Sequence, residues 1–120
     1  MNFSSDNTSP VPNQILDKIK GANDGHQASY GEDDSMCELT DRIQNIFETE
    51  EASIYLVSTG TAANSLALAG LSNPWDTIFC SPISHLHQDE CNAPEFFTGG
   101  SKLTLVGQTD KISPKELNTA

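Results

Sequence analysis

An α/β fold, with a mostly parallel sheet flanked by helices, is what this sequence predicts, and three observations predict it. Ile54 to Val57 is a short, uncharged run of β-branched and aromatic residues, and it leads through Ser58-Thr59-Gly60-Thr61 into an Ala- and Leu-rich stretch ending at Leu71. Two further apolar runs, Thr77 to Cys80 and Lys102 to Val106, follow at intervals of roughly 25 residues, a spacing that suits β-α-β crossovers and parallel strands. Amphipathic helical spacing recurs before and between these runs, with Met36, Leu39, Ile43, Ile46 and Phe47 as its clearest instance.

In chain order, Asn2 to Ser9 is polar and irregular, and Pro10 and Pro12 delay regular structure until a helix starts. Asn13 to Lys20 places Ile15, Leu16 and Ile19 on one face and ends with Lys18, Lys20 and then Gly21, the stop chemistry of a short helix. Ala22 to Asp34 is rich in Asn, Asp, Gly and Glu and reads as a loop. Ser35 with Glu38 three residues on predicts a capping box for a helix over Met36 to Glu48. The run at Ile54 to Val57 predicts a strand buried on both faces, and Thr61 to Leu71 a buried helix. Asn73-Pro74-Trp75-Asp76 is a turn, Thr77 to Cys80 a second strand, Gln88 to Phe97 a shorter helix, and Lys102 to Val106 a third strand after Thr98-Gly99-Gly100. Ser113-Pro114-Lys115-Glu116 opens a last helix with a capping box and proline at its first position.

Composition excludes some partners. With 17 Asp and Glu against 6 Lys and Arg, a net charge of −11 on 120 residues, the chain has too few cations to neutralise a nucleic-acid backbone. The N-terminus has neither a basic region nor an apolar one of signal-peptide type, and no stretch is long enough to span a bilayer, so the expectation is a cytoplasmic protein without a membrane partner. Cys37, Cys80 and Cys91 are odd in number and fall within predicted elements, which reads as buried reduced thiols.

The turn Ser58-Thr59-Gly60-Thr61 is the first candidate site. A helix N-terminus carries unpaired N–H groups and a partial positive charge, so a small hydroxyl-rich turn, with Gly60 admitting close approach, can hold a phosphate. The plainer reading is that Thr59 or Thr61 only caps the helix. The second is Ser81 to Cys91, where His85, His87, Asp89, Glu90 and Cys91 gather. It admits a metal site, a solvated polar loop, or an acid-base and aromatic wall in which an imidazole stacks on a planar ligand; if Leu86 onward is helical, His85 and His87 lie on different faces, which weighs against a metal. Both segments follow the carboxyl ends of predicted strands, where ligands bind in open α/β sheets, so they are expected to face one crevice.

Four segments, Ser5-Asp6-Asn7, Tyr30-Gly31-Glu32-Asp33, Gly60-Thr61-Ala62-Ala63-Asn64-Ser65-Leu66-Ala67-Leu68 and Asp89-Glu90-Cys91-Asn92-Ala93-Pro94-Glu95-Phe96-Phe97, stand in the order seen in low-specificity L-threonine aldolases. The chain resembles that group, in the β-eliminating lyase branch of fold-type I pyridoxal-phosphate enzymes, over nearly its whole length. The resemblance implies the N-terminal part of the large domain of that transferase-like fold, with residues 1–34 as a helix and active-site loop segment and residues 35–120 as an incomplete pyridoxal-phosphate-binding domain. It implies pyridoxal 5'-phosphate as cofactor, its phosphate held by Thr59, Gly60 and Thr61 and its ring stacked by His85, with Ser5 on the substrate carboxylate and Tyr30, Asp89 and Glu90 lining the site. It further implies cleavage of L-threonine and related β-hydroxy amino acids to glycine and an aldehyde, with His85 assisting proton transfer, in a dimer or tetramer of like subunits.

The family's Schiff-base lysine has no counterpart here: Lys18, Lys20, Lys102, Lys111 and Lys115 all lack the strand-end context, and Arg42 is the only arginine. A helix begun near the last residue and a sheet of three strands point the same way, to about a third of a family member that would be inactive alone. Two other readings compete: a non-catalytic remnant that binds a homologous subunit, and a phosphate-ligand module unrelated to pyridoxal phosphate.

Overall fold

Helices α1 (Asn13–Ala22) and α2 (Asp34–Phe47) open the structure, a computed structural model that describes residue 4 and residues 8–120. They belong to the first of two units, Met1–Ile54; the second is Tyr55–Ala120. The motif residues Ser5, Asp6 and Asn7 lie outside the described residues. Helix α1 runs two residues past Lys20, and the Asn23 amide closes it on the Ile19 carbonyl at 3.1 Å.

Helix α2 starts two residues earlier than the spacing predicts, because Asp33, not Ser35, is its cap. The Asp33 carboxylate accepts from the Met36 amide at 3.0 Å, so Ser35 falls inside the first turn. The helix ends at Glu48 in the left-handed region (φ 52°), and Gln44 Nε2 donates to the Ala52 carbonyl at 2.9 Å, holding the chain beyond it.

In the second unit α3 (Gly60–Leu71) is followed by β1 (Thr77–Cys80), α4 (His85–Gln88), α5 (Ala93–Phe97), β2 (Lys102–Leu105) and α6 (Pro114–Leu117). The two strands are parallel neighbours, with Thr77 opposite Lys102 and Cys80 opposite Leu105. Bonds from the Lys102 amide to the Asp76 carbonyl (3.0 Å) and from the Val106 amide to the Cys80 carbonyl (2.9 Å) extend the ladder at both ends. The crossover passes through α5, which packs on both α3 and β2.

The turn before β1 and the entry to β2 are tied together. Asp76 accepts from the Asn73 amide (2.7 Å) and Asn73 Nδ2 (3.1 Å), while the buried Ser101 hydroxyl donates to the Asn73 carbonyl at 2.7 Å. Gly99 and Gly100 take φ of 77° and 128° there, and a Cβ on Gly100 would stand 3.4 Å from the Pro74 carbonyl oxygen. The interior of this unit mixes apolar Cys80, Val106 and Pro94 with polar Ser65, Ser81, Glu90, Thr98 and Ser101.

Several expectations are corrected. Ile54 to Val57 forms no strand: Tyr55 and Leu56 are 82% and 69% exposed, and no described residue pairs with the run. A strand is defined by its ladder, so β-propensity without a neighbouring strand leaves an extended chain. Among the described residues the sheet therefore has two strands rather than three. Helix α3 is not a buried helix, since only Ser65 on it is buried and Leu66 and Leu71 are largely exposed. The helix predicted over Gln88 to Phe97 is two, α4 and α5, parted by Cys91 and Asn92 in the left-handed region. Of the three free cysteines only Cys80 is buried. Among the described residues no helix is long and apolar enough to cross a membrane.

Candidate functional site

The N-terminus of α3 presents its amides outward. Thr59, extended at φ −146° and ψ 157°, caps the helix by accepting from the Ala62 amide at 3.1 Å, and its carbonyl accepts from the Ala63 amide at 3.2 Å. Capping and phosphate holding are thus not alternatives at Thr59, because the hydroxyl hydrogen is not used by the cap. Among the described residues the Gly60 and Thr61 amides donate no hydrogen bond, the first turn carries no acidic side chain, and nothing lies within 4 Å of where a Cβ on Gly60 would be. A twelve-residue helix with two unpaired N–H groups and open space over its first residue fits an ester phosphate.

One turn into α3, Asn64 joins this end to the second candidate segment. Asn64 Nδ2 donates to Glu90 Oε1 at 2.7 Å, and His85 Nδ1 meets the same oxygen at 2.8 Å. The Glu90 side chain is fully buried while the imidazole is 63% exposed, so the carboxylate stands behind the ring and the ring faces outward. Glu90 Oε2 is buried with no partner in the described structure. The placement of Glu90 depends on the chain reversal beyond it: Cys91 and Asn92 take φ of 50° and 61°, and the Ala93 amide closes on the Glu90 carbonyl at 2.8 Å. Left-handed backbone at a non-glycine residue costs about 1–3 kcal/mol, a cost met here to turn Glu90 inward.

The structure therefore links α3, the helix that Thr59 caps, to His85 through Asn64 and Glu90. It does not bring Asp89 into that network: Asp89 closes α4, its amide donating to the His85 carbonyl at 2.9 Å, and its side chain is exposed. His87 on the same helical turn is exposed as well. Tyr30 belongs to the first unit, in a turn at φ 64° with a fully exposed ring. Among the described residues no group of three or more His, Cys, Asp or Glu could hold a metal ion. Asn64 is the residue that reading the sequence for function misses. Its signal was available: an amide in an Ala- and Leu-rich helix, four residues after Gly60 and so on the same face, requires a polar partner.

Comparison with known proteins bears on the fold and the family. The α/β fold matches that of a Leishmania major threonine aldolase structure with a TM-score of 0.82 at 22% identity, over 93% of this chain and 32% of that one. It is the α/β arrangement expected for the first part of the fold-type I large domain. The family model for beta-eliminating lyases matches residues 2–120, and the chain belongs to that family. A low specificity L-threonine aldolase of Pseudomonas aeruginosa (strain PAO1) is 40% identical over 117 residues, which cover 96% of this chain and 33% of the relative. A second, from Pseudomonas sp. (strain NCIMB 10558), is 38% identical over 116 residues with the same coverage. The chain spans about a third of the length of the curated relatives it matches.

Proposed function

We propose that this chain supplies the phosphate- and ring-binding part of a pyridoxal 5'-phosphate-dependent lyase that cleaves L-threonine and related β-hydroxy amino acids to glycine and an aldehyde. One observation carries the reading: an open helix N-terminus at Gly60 and Thr61 is joined, through Asn64 and Glu90, to an outward-facing imidazole at His85. The names of the relatives and the family membership support the same reaction class.

In this reading the Gly60 and Thr61 amides and the Thr59 hydroxyl donate to the ester phosphate, and the positive end of α3 compensates its charge in place of a basic side chain. His85 holds the ring side of the site and accepts the β-hydroxyl proton, directly or through water. Glu90 stands behind His85 and holds its ring. When bound, pyridoxal phosphate supplies an electron sink for the pair released at Cα. Fixing substrate and imidazole in one orientation is the chain's own contribution to the rate. The proposed setting is a cytoplasmic assembly of like subunits acting on a small amino acid.

Cofactor retention tests the reading. The full-length protein should keep pyridoxal phosphate through gel filtration, and His85→Ala should weaken its binding by about tenfold, or ~1.4 kcal/mol. Unchanged retention in the variant removes His85 from the site, and a wild-type protein that never retains the cofactor ends the proposal.

A further inference from the structure

We propose that Asn64 and Glu90 are positioning residues that lock the neutral imidazole of His85 in its Nδ1–H tautomer and leave Nε2 as the proton acceptor on the exposed side. Glu90 Oε1 receives two contacts, Asn64 Nδ2 at 2.7 Å and His85 Nδ1 at 2.8 Å. An ionised carboxylate oxygen can only accept. A lone pair on Nδ1 would set two acceptors against each other at that distance, so Nδ1 carries the hydrogen. Nε2, across the ring, then keeps its lone pair, and the ring is largely exposed while the carboxylate is not exposed at all.

The inversion matters because a free neutral imidazole in water favours the other tautomer, with the hydrogen on Nε2. A histidine in that form would offer a donor where removal of a hydroxyl proton requires an acceptor. The partner on one ring nitrogen sets what the other can do.

Two features mark the clamp as more than packing. Glu90 Oε2 is buried without a hydrogen bond, a cost that an apolar residue at this position would remove. Asn64, in turn, fixes Oε1 from α3, so the orientation of His85 is tied to the helix whose first amides are open. The inference deepens the proposed function, resting on it for the use to which Nε2 is put. The tautomer itself is independent of any cofactor.

The test is the tautomer of His85, read by long-range ¹⁵N–¹H correlation on the full-length protein before cofactor is added. The measurement is made at a pH where the ¹⁵N shifts themselves show the ring to be neutral. Wild-type His85 should be mainly Nδ1–H, and exposed His87 on the same helical turn gives the ordinary mixture as an internal reference. Glu90→Ala should return His85 to the ratio of His87. Glu90→Gln, whose amide oxygen can still accept, should retain the Nδ1–H excess, and Asn64→Ala should reduce that excess by about threefold.

A wild-type His85 that is mainly Nε2–H, or a ratio unmoved by Glu90→Ala, overturns the clamp. If Glu90→Ala does not fold, the wild-type ratio and Asn64→Ala decide the matter. Because the readout needs no cofactor, a failed clamp leaves the pyridoxal-phosphate reading standing. Lost cofactor retention beside an Nδ1–H His85 defeats that reading and not the clamp.

Discussion

Helices α3 and α6 begin with the same kind of residue and end up with opposite electrostatics. At α6 the N-terminus is closed by its own side chains. Ser113 Oγ accepts from the Glu116 amide at 3.3 Å, the Glu116 carboxylate accepts from the Ser113 amide at 2.9 Å, and Pro114 has no N–H to satisfy. At α3 the Thr59 hydroxyl takes the Ala62 amide, among the described residues the Gly60 and Thr61 amides donate no hydrogen bond, and the first turn carries no acidic side chain. The difference lies in the third helical residue, Glu116 in one and Ala62 in the other. A capping box consumes the positive end of a helix, whereas a single hydroxyl cap leaves it available to an external anion.

Converting one end into the other is the strongest way to break this contrast. Ala62→Glu places a carboxylate where α6 has Glu116 and completes a Thr-x-x-Glu box with Thr59. Affinity for pyridoxine 5'-phosphate, measured by calorimetry on the full-length protein, should fall by about 100-fold, or ~2.7 kcal/mol. Unchanged affinity would place the phosphate elsewhere.

Gly60→Pro is the milder change. Proline suits the first helical position, and extended Thr59 tolerates a following proline, so the helix should persist by circular dichroism while one donor is lost. The expected loss is about tenfold in the same titration.

The smallest effect belongs to α6. Hydrogen bonds from the Ser113 hydroxyl and then the Ser113 amide hold the Glu116 carboxyl below the ordinary glutamate range. A depressed folded value stabilises the helix above the unfolded pKa and ceases to do so as pH falls through the folded one. Ser113→Ala should move the Glu116 titration back up, followed by the ¹³C shift of its carboxyl, and should leave phosphate-ester binding untouched.

How much of this was legible varied by element. Thr77 to Cys80 and the Ser113 cap appear as read, because a short apolar strand bounded by turns and a hydroxyl–proline–glutamate start are determined within a few residues. The parallel pairing of β1 with β2 followed from the residue interval between them. Ile54 to Val57 did not, since forming a strand requires a neighbour and no local pattern supplies one. The capping shift from Ser35 to Asp33 reflects two eligible side chains separated by two positions, between which only backbone geometry chooses.

At the candidate site, residue chemistry marked Gly60, Thr61, His85 and Glu90 as worth attention. It gave no means of separating Glu90 from Asp89, adjacent carboxylates with the same charge. The left-handed turn at Cys91 and Asn92 separates them, burying one behind His85 and leaving the other exposed.

Sequence alone determined what depends on neighbours along the chain: the presence of helices α1, α2 and α3, the capping box of α6, the hydroxyl-glycine turn before α3, and a net charge of −11. Tertiary structure decided what depends on distant residues. Asn64 and Glu90 are 26 positions apart, and the 2.7 Å bond between them, with the ring it orients, exists only once α3 and the segment after α4 have been brought together. Capping and turn propensities act over one or two turns of backbone, while a buried carboxylate finds its partners through packing.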